Sequence, residues 1–290
     1  MKILLTGADG FTGRVFASRA IAEGHTIVAL RSDLTDAEAL QKEVLRVAPD
    51  TVVHLAAISF VGHSHDEAFY AVNVVGTTNL LSALIKLPFR PRRVLLASSA
   101  NIYGNTTHSP IDETQAPAPV NHYGMSKLAM EYMARTYAGQ LDIIVTRPFN
   151  YTGPGQAANF LIPKLAMHFA SRAPSIALGN LDVEREFNDV RMVCDAYLLL
   201  LVYGVPNETY NICSGQPYAL QFIVNTFARL TSHSMRIEVN PAFVRANEVH
   251  RLCGSPDKLN ALLAKNGVTL DAPPLENTLQ SMLLAVEKNG

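Results

Sequence analysis

Two kinds of apolar pattern alternate along the first half of the chain. Short unbroken runs occur at Lys2–Thr6, Thr26–Leu30, Thr51–Ala57, Arg93–Ala97 and Asp142–Thr146. They are too short for helices and show no polar face, which is how strands buried on both sides of a parallel sheet read. Between them the apolar residues recur at helical spacing: through Val15, Ile21 and Ala22, over 36–47, over 66–86, and from Tyr123 to about Ala138. Strand and helix in strict alternation predict an α/β chain built on a doubly wound parallel sheet.

The pattern changes after Thr146. Arg147-Pro148-Phe149-Asn150-Tyr151-Thr152-Gly153-Pro154-Gly155 is crowded with turn formers and reads as a domain junction. Beyond it helices are expected near 160–172, 190–203, 219–230, 256–264 and 275–288. Short strands are expected near 176–178, 184–187, 208–212 and 235–239. No fixed-period repeat and no low-complexity tract interrupts the chain.

The first strand runs into Gly7-Ala8-Asp9-Gly10-Phe11-Thr12-Gly13 and then a helix. Strand, glycine turn and helix in that order is the setting for a dinucleotide. Glycine permits the tight turn and lets backbone amides, Phe11 and Thr12 among them, approach a pyrophosphate at the helix N-terminus. The expected fold is therefore a Rossmann domain over 1–150, rejoined by a returning segment near 190–213, with a smaller C-terminal α/β substrate domain over 151–290. The second strand ends at Arg31-Ser32-Asp33-Leu34. An acid there would bind a ribose 2′-hydroxyl and select NAD(H), whereas arginine accommodates the 2′-phosphate of NADP(H). Arg31 favours NADP(H); Asp33 keeps NAD(H) as the alternative. Leu55-Ala56-Ala57 ends the third strand with small residues that leave room for cofactor. Inside the 66–86 helix, Asn73 and Gly76 both cost helix stability, so close packing is expected there. His54, within an apolar run, reads as a core histidine.

The candidate chemistry lies between Ser98 and Lys127. Ser98-Ser99-Ala100-Asn101-Ile102-Tyr103-Gly104 follows the fourth strand, and so places hydroxyls at the carboxyl edge of the sheet. Of ten tyrosines only Tyr123 has a lysine four residues on, Lys127, and that spacing shares one helix face. A phenol titrates near 10, too high to shuttle protons well at neutral pH; a neighbouring ammonium is expected to lower it. The Ser99 hydroxyl could polarise a carbonyl whose oxygen gains charge as hydride arrives.

Composition mostly excludes. With 290 residues, 48% hydrophobic and 17% charged, the chain can bury a large core. A net charge of −1 argues against nucleic acid and against a polybasic membrane surface. Cys194, Cys213 and Cys253 lack metal or redox spacing, read as small buried hydrophobes, and fit a cytoplasmic location; no metal is expected. No signal peptide or membrane span is evident.

Together these motifs resemble the extended short-chain dehydrogenase/reductase family, in its nucleotide-sugar branch. The matching residues are Gly7, Gly10 and Gly13, Asp33-Leu34, Leu55-Ala56-Ala57, Asn73 with Gly76, Ser99, Tyr103-Gly104, Tyr123 with Lys127, and Arg147-Pro148-Phe149-Asn150. Leu178-Gly179-Asn180-Leu181-Asp182-Val183-Glu184-Arg185 and Val244-Arg245-Ala246-Asn247-Glu248-Val249 are similar to the GDP-sugar-holding segments of GDP-mannose 4,6-dehydratases and GDP-4-keto-6-deoxymannose reductases. The resemblance implies cofactor contacts from the glycine turn through Asn73, Tyr123 and Lys127. It implies substrate contacts at Asn101, Asn150, Asn159, Asn180, Arg185, Arg245 and Glu248. Apart from the resemblance, Arg185, Arg191 and Arg245 could form a diphosphate clamp, because guanidinium binds phosphate bidentately. The resemblance also implies a homodimer formed through the helices bearing Asn73 and Tyr123. Dehydratases of this kind carry glutamate where this chain has Asn101, and an amide is no base. The expectation is an NADP(H)-dependent reductase of a GDP-linked 4-keto-6-deoxyhexose, giving a product of the GDP-D-rhamnose type. A 4-epimerase with tightly bound NAD and a non-catalytic nucleotide sensor are the rivals. Two departures stand out: Asp33-Leu34 comes so early that the usual third strand looks curtailed, and the chain has no tryptophan for the glycine-tryptophan pair common near the C-terminus.

Overall fold

A computed structural model describes residues 1–59, 65–244 and 250–289. The five buried runs form β1 (Lys2–Thr6), β2 (Thr26–Ala29), β3 (Thr51–His54), β4 (Arg93–Ala97) and β5 (Ile143–Pro148). Between them lie α1 (Phe11–Ala22), α2 (Ala37–Val47), α3 (Asp66–Tyr70), α4 (Thr77–Leu84) and α5 (His122–Arg135). β3 stops at His54 rather than Ala57 because the next two amides leave the ladder: Leu55 and Ala56 donate to the Thr6 hydroxyl at 3.1 and 3.0 Å.

The helix expected over 66–86 is not uniform. Between α3 and α4 a π-helical turn spans Ala71–Gly76. Its cause is the pair that sequence singled out. Asn73, fully buried, donates to the Ile58 carbonyl at 3.3 Å and the Ser126 hydroxyl at 3.0 Å, and accepts from the Ile58 amide at 3.1 Å. A β-carbon on Gly76 would stand 2.8 Å from Leu34 Cβ. The wide turn thus docks α5 and the loop after β3 onto one amide.

The second half continues with β6 (Tyr151–Thr152), α6 (Leu161–Ala170), β7 (Ser175–Leu178), β8 (Glu184–Arg185), β9 (Asn188–Asp189) and α7 (Val190–Tyr203). Then come β10 (Thr209–Ile212), β11 (Tyr218–Ala219), α8 (Leu220–Thr231), β12 (Arg236–Val239), β13 (Arg251–Leu252), α9 (Asp257–Lys265) and α10 (Leu275–Asn289). The single strand expected at 184–187 is two short ones serving different partners. β8 pairs with β11 and β13, whereas β9 pairs with β6.

The principal sheet has the order β10-β5-β4-β3-β1-β2, every neighbouring pair parallel. β2 is its edge, and the chain passes from it almost directly into α2, whose first turn Asp36 caps. Apolar side chains of α1, α7 and α9, such as Phe16, Tyr197 and Leu259, cover one face. α2, α4 and α5 cover the other through Leu40, Leu80 and Met130. A separate cluster around Phe169, Phe227 and Leu279 unites α6, α8 and α10. The order of strands reverses at β1 and β3, and a sheet of this kind keeps its ligand crevice outside the carboxyl ends of its strands at such a point.

Candidate active site

The glycine turn is built by backbone contacts alone. The Gly10 amide donates to the Gly7 carbonyl at 3.0 Å. A β-carbon on Gly13 would stand 2.1 Å from the Gly7 oxygen, so only glycine lets α1 approach β1 this closely. Gly7 has φ +69° and faces the Ala56 backbone, which brings Leu55, Ala56 and Ala57 alongside the turn. No side chain caps α1, and its first turn carries no acid. Its amides are thus suited to an anion.

The end of β2 sorts the two candidates for the cofactor ribose. Arg31 is exposed, with Nη1 3.2 Å from Asp9 Oδ2 in the glycine turn. Asp33 is exposed too, but its carboxylate accepts from the Thr35 amide at 2.8 Å and the Thr35 hydroxyl at 2.7 Å, and these bonds hold it below the usual carboxylate range. Leu34 belongs to the core beside Gly76, so its side chain does not face a ligand. Nor does the amide of Asn73, whose bonds described above make it a positioning group. Sequence reasoning missed Glu43: from α2 its carboxylate accepts from the Arg31 and Ser32 amides and the Ser32 hydroxyl, shaping this corner. It also missed Tyr151, whose hydroxyl lies 2.8 Å from Thr12 Oγ1 and whose ring stacks on Phe11. The turn-former motif hid an aromatic that fastens β6 to the glycine turn.

Ser99, Tyr123 and Lys127 converge. Ser99 begins a 3₁₀ turn over Ala100–Tyr103; its Oγ accepts from the Asn101 amide at 3.1 Å and the Asn101 Nδ2 at 3.2 Å. The Tyr123 hydroxyl lies near enough to this hydroxyl for Ser99 to act on its titration. α5 starts one residue before Tyr123 because Asn121 Oδ1 caps the Gly124 amide at 2.8 Å. The missing side chain of Gly124 lets the two segments meet, since a β-carbon there would lie 2.7 Å from the Asn101 carbonyl oxygen. One turn on, Lys127 Nζ donates to the Ala97 carbonyl at 2.7 Å, at the end of β4.

The electrostatics differ from expectation. Lys127 does not pull the phenol down: burial pushes Tyr123 up to about 12, with the Ser99 hydrogen bond opposing and Tyr151 adding to the rise. The ammonium points at a carbonyl and is itself depressed to about 8 by burial, against the raising influence of Glu131. At neutral pH Tyr123 is therefore a protonated phenol beside the Ser99 hydroxyl, suited to donating a proton. A reduction that needs the ammonium should lose kcat as pH rises through about 8, where Lys127 gives up its charge, while Tyr123 stays protonated. A kcat–pH profile measures this, and a flat profile to pH well above 9 would contradict it. His54, expected in the core, is buried between the Thr6 and Thr77 hydroxyls at 2.7 and 2.9 Å and held neutral, with its pKa lowered to about 3 by burial.

The substrate candidates are less gathered. Asn101 and Asn150 are half-buried beside the crevice; the Asn150 carbonyl accepts from the Asn188 amide at 2.9 Å. Asn159 is exposed and Asn180 half-buried. Arg185 is buried in β8, with one guanidinium nitrogen donating to the Glu184 carbonyl at 3.2 Å. Arg191 does not join a diphosphate clamp: its guanidinium is held in a two-pronged pair with Asp189, which caps α7 and also accepts from Thr278. Arg245 and Glu248 lie outside the described residues.

Residues 3–213 match the NAD dependent epimerase/dehydratase family. The chain belongs to that family. It is an NAD(P)-dependent oxidoreductase, and its fold agrees with solved members. It is 38% identical, over 92% of both chains, to GDP-6-deoxy-D-talose 4-dehydrogenase of Aggregatibacter actinomycetemcomitans. It is 33% identical to GDP-6-deoxy-D-mannose reductase of Pseudomonas aeruginosa, covering 89% of this chain and 90% of that one. Among solved structures, RMD from Pseudomonas aeruginosa complexed with NADPH superposes with a TM-score of 0.90 at 30% identity, over 100% of this chain and 99% of that one. The residues around the glycine turn and α5 described above lie within the matched span.

Proposed function

We propose that the protein reduces the 4-ketone of a GDP-linked 6-deoxyhexose with NADPH. The observation that carries the reading is the placing of the Ser99 and Tyr123 hydroxyls side by side, with a buried Lys127 one turn on, at the carboxyl edge of the sheet. Bound NADPH supplies hydride. Ser99 polarises the ketone oxygen, Tyr123 delivers the proton to it, and Lys127 adds positive charge as the oxygen becomes an alkoxide. The buried phenol keeps its proton until that charge develops. Asn101 occupies the place where a dehydratase needs a carboxylate, and its Nδ2 is given to Ser99. Elimination of water therefore has no base, while reduction needs none.

The relatives support the choice of sugar. 6-Deoxytalose and 6-deoxymannose differ only in configuration at carbon 4, so one 4-ketone yields either, according to which face receives hydride. NMR of the product distinguishes the talo from the rhamno configuration. The conversion of a nucleotide sugar with no net NADPH oxidation would indicate a 4-epimerase instead.

NADPH is favoured by Arg31, which stands free of the strand ladder beside the turn. Arg31→Ala should raise the KM for NADPH about ten- to a hundred-fold through loss of a charge-assisted phosphate contact. The KM for NADH should barely move; equal rises in both would remove Arg31 from this role. The expected dimer is supported by exposed Val75, Met125 and Tyr132 on the π turn and α5. A cytoplasmic location accords with the chemistry, and among the described residues no helix is long and apolar enough to cross a membrane.

A further inference from the structure

Behind the Ser99–Tyr123–Lys127 group lies a chain of buried polar groups that the reaction itself does not use. Arg147 projects from β5, and its side chain is 4% exposed. Its Nε and Nη2 donate to the two oxygens of Glu131 at 3.1 and 2.7 Å. Its remaining terminal nitrogen, Nη1, donates to the Tyr103 hydroxyl at 2.9 Å. Tyr103 in turn donates to Asn211 Oδ1 at 2.8 Å, and Asn211 is fixed by the Ile111 carbonyl and Glu113.

The ends of this chain are telling. Glu131 follows Lys127 by four residues and Tyr123 by eight, so all three share a face of α5. Tyr103 closes the 3₁₀ turn that Ser99 opens. One guanidinium therefore spans the two segments whose separation sets the distance between hydroxyl and phenol. We propose that Arg147 is a positioning residue for catalysis, holding the Ser99 turn against α5 through Tyr103 and Glu131, and that Glu131 supplies the negative charge that keeps Lys127 an ammonium. This rests on the reductase reading of the site. Stability alone is a poor reason for such a pair, because buried ion pairs are commonly matched or bettered by apolar side chains of equal volume. A fork that bonds two separate segments at once has no apolar substitute.

The groups around Lys127 make the sign of the effect definite. From its own helix come Tyr123, protonated, and Glu131, and from β3 comes His54, neutral; Arg147 from β5 reaches it only through its pair with Glu131. Glu131 opposes the burial that depresses Lys127. Glu131→Gln removes that opposition and leaves Arg147 as an added positive charge.

Three variants test this, read by steady-state kinetics with NADPH and the keto-sugar nucleotide across pH and by NMR titration of lysine-labelled protein. Tyr103→Phe leaves the Arg147–Glu131 pair intact and removes the link to the Ser99 turn, together with the bond to Asn211 Oδ1. It should lower kcat between about ten- and a hundred-fold, with the KM for NADPH within twofold and the alkaline limb unmoved. Arg147→Lys should do the same, and the double variant should be little worse than the worse single one, since both break one linkage. Glu131→Gln should move the alkaline limb and the Lys127 titration down by about one pH unit. Wild-type kcat in folded Tyr103→Phe would overturn the positioning role. An unmoved Lys127 titration in Glu131→Gln would overturn the electrostatic one. Should Glu131→Gln not fold, Tyr103→Phe alone decides. The failure of the reductase reading looks different: the wild type then oxidises no NADPH, while the NMR titration still reports on Glu131.

Discussion

Tyr123→Phe should abolish ketone reduction, lowering kcat by at least about a thousand-fold, while NADPH binding stays within a factor of two. The variant deletes one oxygen. Its ring keeps the contact with Phe69 and its place at the start of α5. What disappears is the phenolic proton beside Ser99 at the carboxyl edge of β4. General acid catalysis accounts for two to four powers of ten in typical enzymes, and the alkoxide formed here would keep only the neutral Ser99 hydroxyl and the field of Lys127, with no proton delivered to it. Fluorescence titration with NADPH separates the two effects. A matching loss of cofactor affinity would mean that the phenol mainly holds the nicotinamide ribose.

The second large effect belongs at the other end of the crevice. Gly13→Ala should weaken NADPH binding by at least about a hundred-fold and lower the melting temperature by several degrees. The new β-carbon would meet the Gly7 carbonyl oxygen at 2.1 Å and Ala8 Cα at 2.8 Å, all backbone. No rotamer relieves such an overlap; either α1 or the turn must move. Amides then leave the positions where they would hold the pyrophosphate, and each charge-assisted bond lost costs about 1.5–3 kcal/mol. Gly24→Ala is the control. Gly24 ends α1 at φ +80° with nothing within 4 Å of an added β-carbon, so it should cost stability without touching cofactor affinity. Equal cofactor losses in both variants would point to general unfolding.

Much of this site can be read along the chain because its parts are local. A glycine turn after a strand, and a phenol and an amine four residues apart, depend on spacing within single elements, and the structure brings them to one edge of the sheet. The second half was legible as elements, since α6 to α10 lie close to their expected positions, but not as a surface. Arg185 and Arg191 look alike in sequence, yet one lies within a short strand and the other is bound by its neighbour Asp189. Nothing in the spacing of Asp189 and Arg191 tells a cap from a free cation. The π turn at Ala71–Gly76 was flagged by Asn73 and Gly76 without its form being foreseeable, because its reason, Ser126 and Ile58, lies far along the chain. The direction of Tyr123's titration failed for a similar cause. An i, i+4 lysine fixes proximity, but burial and the carbonyl of Ala97 decide where the charge goes.

The most direct test uses purified protein, GDP-4-keto-6-deoxymannose and NADPH carrying deuterium at the transferable position. Stoichiometric cofactor oxidation, with one deuterium found at carbon 4 of a GDP-6-deoxyhexose and none transferred by Tyr123→Phe, is the result expected of a phenol-assisted ketone reductase. Deuterium that stays on the cofactor, or a Tyr123→Phe enzyme that labels carbon 4 at the wild-type rate, would contradict it.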